Sequence, residues 1–156
     1  MAIPYLRRLT AVSRSPQATR HLAYLLTFTA GAVNAGGFLA VQQYTSHMSG
    51  IVSMMADHMA LGGMIVVLQG VAALLSFLAG AASSAFLINF GRRSHLASEY
   101  ALPLLLEAVL LLAFGLLGAN LETLRWFYVP GTVMLLCYIM GLQNAMITKV
   151  SRSEIR

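Results

Sequence analysis

Residues 64–90 read MIVVLQGVAALLSFLAGAASSAFLINF, 27 positions without one charged side chain. As a helix this run is about 40 Å long, enough to cross a hydrocarbon core of roughly 30 Å. Within it Ala72, Ser76, Gly80 and Ser84 recur every fourth position, which places four small side chains on one helix face. Such a ridge lets a neighbouring backbone come close. The stretch therefore predicts a membrane span packed inside a helical bundle.

Charge is missing to either side as well. No Asp, Glu, Lys or Arg occurs at 21–56, 58–91 or 126–148. Of the 156 residues, 58% are apolar and only 10% charged, against about 25% charged in soluble domains. That deficit excludes a soluble enzyme, a disordered chain and a disulfide-rich secreted module. The lone Cys137 cannot form an intrachain disulfide and reads as a buried thiol. Four spans are predicted, at about Leu22–Val41, Met64–Phe90, Ala101–Gly118 and Trp126–Thr148. They must be helices, since lipid offers no partner to unpaired backbone groups and the runs are too uniformly apolar for barrel strands. Trp126, Phe127 and Tyr128 read as an interfacial aromatic anchor.

The net charge of +5 does not signal nucleic acid, because the basic residues sit at the ends of apolar runs rather than in a stripe with exposed aromatics. With the N-terminus inside, Arg7, Arg8, Arg14, Arg20, Arg92, Arg93, Lys149, Arg152 and Arg156 share one face and only Arg125 the other. This asymmetry is the one that sets orientation in membranes. It predicts four crossings with both termini cytoplasmic, a basic leader at residues 1–20 without a signal-peptide pattern, and a transmembrane domain at 21–156.

The segment 42–63 spoils that asymmetry if it crosses, because it would carry Arg92 and Arg93 outside. Its own pattern is two-faced. Met48, Ile51, Val52 and Met55 share one side at helical spacing, while Ser46, Ser49, Gly50, Ser53 and Asp57 share the other. A short re-entrant or interfacial helix on the outer side is expected, with Thr45 or Ser46 as its N-cap.

Gly31-Ala-Val-Asn34-Ala35 and Gly141-Leu-Gln-Asn144-Ala145 match at three of five positions, 110 residues apart. Each lies late in a span that opens a three-span unit. Units of three spans enter the membrane in opposite senses, the inverted repeat common in secondary transporters. Repeat 1 would run over about 21–120 and repeat 2 would begin at about 126–156. Twelve residues follow Asn144, and the twelfth after Asn34 is Ser46, so the expectation is a second unit cut short before its counterpart of His47. The fold class expected is an all-α membrane protein: a polytopic bundle of about four transmembrane helices with one re-entrant or interfacial helix.

Gly31-x-x-Asn34-Ala35, Thr45-Ser-His47-Met-Ser49-Gly50, Asp57 and Gly141-Leu-Gln-Asn144-Ala145 together resemble the YoaK-like bacterial membrane family over roughly Leu22 to Arg156. The most specific element is His47-x-Ser49-Gly50 between Asn34 and Asp57. The resemblance implies a bacterial inner-membrane protein of six spans, catalogued as a domain of unknown function. It supplies no reaction.

Polar groups at membrane depth are costly unless paired or wetted, which makes them site candidates. Asn34, among glycines that would loosen the first span in mid-course, reads either as a ligand contact or as an interhelical hydrogen bond. Asn144 would face it across the repeat axis, with Gln143 as a second amide. Ser46, His47, Ser49 and Asp57 form a second group. A His near a carboxylate could relay protons, the helix start could offer N–H groups to an anion, and an outer loop in water is the plain alternative. Glu107 is expected either to snorkel to the cytoplasmic interface, the favoured reading because the headgroups are a short reach away, or to face the bundle interior. No metal-ligand spacing, phosphate loop or nucleophile elbow occurs, so no metal, cofactor or catalytic residue is expected. A small-solute or ion transporter ranks first. A membrane-embedded enzyme resting on His47, Asp57 and Ser49 comes second, and a scaffold or assembly protein third. The expected partners are the lipid bilayer, a small-molecule substrate and further copies of the chain packed through small-residue faces, with no nucleic acid.

Overall fold

Ser15 and Pro16 start the first helix. The Ser15 hydroxyl accepts from the Ala18 N–H at 3.3 Å, and proline follows at the first helical position, where its missing N–H costs nothing. The computed structural model describes residues 15–41, 45–96, 98–118 and 125–152. Five helices and no strand are found among them: α1 Pro16–Val41, α2 Met48–Ala60, α3 Met64–Arg93, α4 Ala101–Gly118 and α5 Arg125–Arg152. The early start of α1 follows its cap rather than its hydropathy, and takes Arg20 and His21 into the helix. Residues 1–14 of the basic leader and the side chains of the aromatic anchor lie outside the described residues.

Helices α1, α3 and α5 contain runs long and apolar enough to cross a membrane, and α4 is a shorter apolar helix. Their outer surfaces are apolar, with Phe28 and Ile65 at 77% and 74% exposure. Hydroxyls on these helices return to the carbonyl four residues back, as Thr27 does to Ala23 at 2.8 Å and Thr29 to Leu25 at 2.9 Å. A span in lipid must satisfy its polar groups internally in this way. Glycine does not break α1, which runs unbroken through Gly31, Gly36 and Gly37. In lipid the helical ladder outweighs the roughly 1 kcal/mol each glycine costs.

Two sharp reversals bracket α3. After α2, Gly62 adopts φ 76°, and Gly63 N–H bonds the His58 carbonyl at 2.7 Å while Gly62 N–H reaches Met59. This is the left-handed helix stop that glycine allows without strain. After α3 the same pattern recurs with His95 at φ 50° and Leu96 N–H on Gly91 carbonyl at 3.0 Å. The Arg92 guanidinium then holds the Glu99 carboxylate across that turn.

Helix α5 is the axis of the bundle, packing against α1, α3 and α4, while α2 packs on α3. One cluster joins Leu142, Met146 and Val150 of α5 to Leu22 and Leu26 of α1, Ile88 of α3 and Leu104 of α4. A second joins Leu136, Ile139 and Met140 to Val33, Phe77 and Leu110. These pairings make α5 parallel to α3 and antiparallel to α1 and α4. The closest approach is between α3 and α5. A Cβ on Gly80 would collide with the Tyr138 carbonyl, and one on Gly141 with the Phe77 carbonyl. Each glycine therefore aims its second Hα at a carbonyl of the other helix, a weak Cα–H···O contact. Lipid gives no hydrophobic reward for burying leucine, so such backbone contact is what binds these helices. Gly80 and Ser84 of the small-residue ridge are buried, while Ala72 and Ser76 are half-buried.

Candidate functional site

The lead-in to α2 folds back onto α1. Ser46 donates its hydroxyl to Asn34 Oδ1 at 2.8 Å, and both residues are half-buried. Two of the residues singled out in the sequence are thus joined, twelve positions apart. The side-chain cap expected for α2 does not form. His47 takes the N-cap position and no side chain bonds the first turn, because the Ser46 hydroxyl is committed to Asn34. Thr45 turns inward, fully buried, and its hydroxyl has no partner among the described residues. Gly37 makes room for this lead-in: a Cβ there would lie 2.9 Å from Leu136 Cδ1 and 3.7 Å from Thr45 Oγ1.

Helix α2 sorts its faces as its spacing predicts. Ile51 is buried with Ala73 and Cys137, Met48 and Met55 pack beside it, and Ser49, Ser53 and Asp57 are exposed, as is Val52. His47 and Asp57 stand at opposite ends of the helix, about 15 Å apart along its axis at 1.5 Å per residue. The structure does not bring them together, which removes a direct proton relay between them. Beneath α2 lies an apolar cavity of about 90 Å³, lined by Ile51, Met54, Gly70, Ala73, Pro130 and Val133.

A second polar group lies deeper. Gln143 is fully buried and donates from Nε2 to the Leu26 carbonyl at 3.0 Å, while its Oε1 has no partner among the described residues. Its neighbour Asn144 is exposed, since adjacent helical positions point about 100° apart. Asn34 lies beside Val33 in the outer cluster and Asn144 between residues of the inner one, so these two amides are not brought together. Glu107 does not snorkel. It is 3% exposed on the buried stripe of α4 with Pro103, and neither carboxyl oxygen has a partner among the described residues. The Ser84 hydroxyl, on the ridge read only as packing, is also buried and lacks a partner among them. Sequence reasoning missed Ser84 and Thr45 as site residues and ranked the interior position of Glu107, which the structure shows, second. Periodicity alone could have flagged Glu107, four residues after Pro103 and three before Leu110 on one face of α4.

The family described as a protein of unknown function (DUF1275) matches residues 22–156. The chain belongs to this family. The match covers the stretch over which the YoaK-like resemblance runs, and its description names no activity. No curated protein and no solved structure matches the chain. For this DUF1275 member, then, chemistry has to be read from the two polar groups themselves. Among the described residues no three His, Cys, Asp or Glu side chains cluster as metal ligands. Both groups offer amide and hydroxyl oxygens, and the deeper one also the Glu107 carboxyl, inside an apolar bundle, a setting suited to holding a polar solute or ion.

Proposed function

We propose that this protein is a small-solute or ion transporter of the bacterial cytoplasmic membrane, with four crossings and both termini on the cytoplasmic side. The observation that carries this reading is the Ser46–Asn34 bond. It fastens a short helix, built with one apolar and one polar face, onto the first long span. Discontinuous segments tied to spans in this manner form the solute sites of many transporters. The antiparallel course of α1 and α5 supports inverted units, whose opening helices must point opposite ways. The nine-to-one division of basic residues supports the orientation.

In this reading Asn34, Ser46 and the start of α2 at His47 and Ser49 face the solute on the outer side. The Asn34–Ser46 pair suits a neutral polar solute or a partly dehydrated ion. The test is a flux screen of small polar solutes and ions in proteoliposomes. Flux of the responding solute should fall about tenfold or more in Asn34→Ala and Ser46→Ala, the scale of one lost hydrogen bond, with both variants still folded and monodisperse in detergent. Flux equal to the parent's in both variants would remove the site from the pathway.

A further inference from the structure

Three buried side chains on three different helices lack partners at one level of the bundle. Glu107 on α4 lies between Leu104 and Leu106, which pack in the inner cluster, and Leu110 and Leu111, which pack in the outer one. Gln143 on α5 is bracketed by Met140 of the outer cluster and Met146 of the inner one. Ser84 on α3 stands one turn from Gly80, which abuts Tyr138 and Leu142, and one turn from Ile88 of the inner cluster. Helices α3 and α5 both pack against α4. The atoms left without partners at this level are Glu107 Oε1 and Oε2, Gln143 Oε1 and Ser84 Oγ.

Counting donors shows what is missing. With Glu107 ionised, three of those atoms only accept, and the Ser84 hydroxyl is the sole donor. One proton on Glu107 changes the sum. The carboxylic O–H can donate to Gln143 Oε1, and the Ser84 hydroxyl can donate to the remaining Glu107 oxygen. That pairing, reached by side-chain rotation within the layer, would give each of the four atoms a partner and leave no bare charge in an apolar interior.

We propose that Glu107, Gln143 and Ser84 form a proton-binding site at the centre of the bundle, with Glu107 as the proton carrier. Among the described side chains no competing charge lies at this level on the packed helices, and Arg125 and Arg152 stand at the two ends of α5. From α3 the charged groups are Arg92, held by Glu99, and Arg93, both in its last turn. From α5, Lys149 stands near the far end of the helix, Cys137 belongs to the cluster under α2, and Tyr138 donates its hydroxyl to Ser83 at 2.7 Å. Glu99 and Tyr100 precede α4. The site does not depend on the solute reading, and in a transporter it would bind the coupling proton.

The experiment uses the full chain in lipid vesicles and an apolar carbodiimide. That reagent consumes a protonated carboxyl: the carboxyl oxygen bonds the carbodiimide carbon and the acid proton moves to its nitrogen. Peptide mass analysis should find Glu107 modified at neutral pH, with the rate falling as pH rises. A water-soluble carbodiimide should label exposed Asp57 instead. Gln143→Leu should shift the midpoint of that pH dependence downward, because the protonated form loses its acceptor. A purely structural role for Gln143 would leave the midpoint in place. The carbonyl infrared band of a neutral carboxyl should be present in the parent and lost in Glu107→Gln, which keeps the shape of the protonated acid. Absence of both the modification and the band would overturn the proposal. Protection by sodium or lithium at fixed pH would also overturn it, identifying an alkali-cation site. Since no solute is involved, these outcomes are independent of the flux result.

Discussion

Alanine at Gly80 or at Gly141 will separate α3 from α5 and cost about 1–3 kcal/mol each, the range of overpacking a tight interior. In both cases the new methyl meets a backbone carbonyl, of Tyr138 or of Phe77, which cannot rotate aside as a side chain would. The weak Cα–H···O contacts are lost at the same time. The double variant should cost less than the sum of the two, because helices already pushed apart by one methyl accommodate the second. Gly31 is the internal control. It occupies the position in the first Gly-x-x-Asn-Ala that Gly141 holds in the second, yet nothing lies within 4 Å of a Cβ built there. Thermal unfolding in detergent, followed by loss of the monodisperse protein, should show lower midpoints for Gly80→Ala and Gly141→Ala and none for Gly31→Ala. Equal midpoints in all three would refute the close crossing.

Truncating Ile51 to alanine will release α2 from the bundle while leaving the long helices in place. Ile51 is the buried anchor of α2, set against Ala73 and Cys137. Its loss costs about 2–5 kcal/mol where the surroundings do not collapse. Cys137 is fully buried in the parent and reports on the undocking. A small maleimide should modify it very slowly in the parent and roughly a hundredfold faster in Ile51→Ala, the change in open population that about 3 kcal/mol produces. Val52→Ala, on the exposed side of the same helix, should leave the rate unchanged. Similar slow rates in Ile51→Ala and the parent would show that α2 is held by something other than this contact.

Much of the fold was legible because lipid removes choices. Charge-free runs in a bilayer must be helices, so the helices at Met64, Ala101 and Trp126 are placed within a residue or so of their observed starts. The two faces of α2 followed from spacing alone, with Val52 the exception at the edge of the apolar side. The start of α1 was missed because hydropathy begins at Leu22 while the Ser15–Pro16 cap begins the helix six residues earlier. The site was less legible, since distance along a chain says little about depth in a bundle. Asn34 and Ser46 were each marked as polar residues out of place, but only the fold-back before α2 joins them. For Glu107 the sequence leaves two directions open, and closeness to the helix end favours the interface over the interior it in fact faces. Its direction depends on rotation about the α4 axis, which is fixed by Pro103 and the α5 surface. Asn144 was drawn toward the interior by the repeat, whereas adjacent Gln143 is the one that points inward.

In the proposed topology α2 stays on the outer side, so that α1 and α3 form a closed pair of crossings and Arg92 returns to the cytoplasm. Cysteines placed singly at Leu61 and at Ser94, both exposed, test it directly on a Cys137→Ala background in intact cells. A membrane-impermeant thiol reagent added outside should label position 61 and spare position 94 until the cells are opened. Labelling of position 94 from outside would mean that α2 crosses, and would contradict the account.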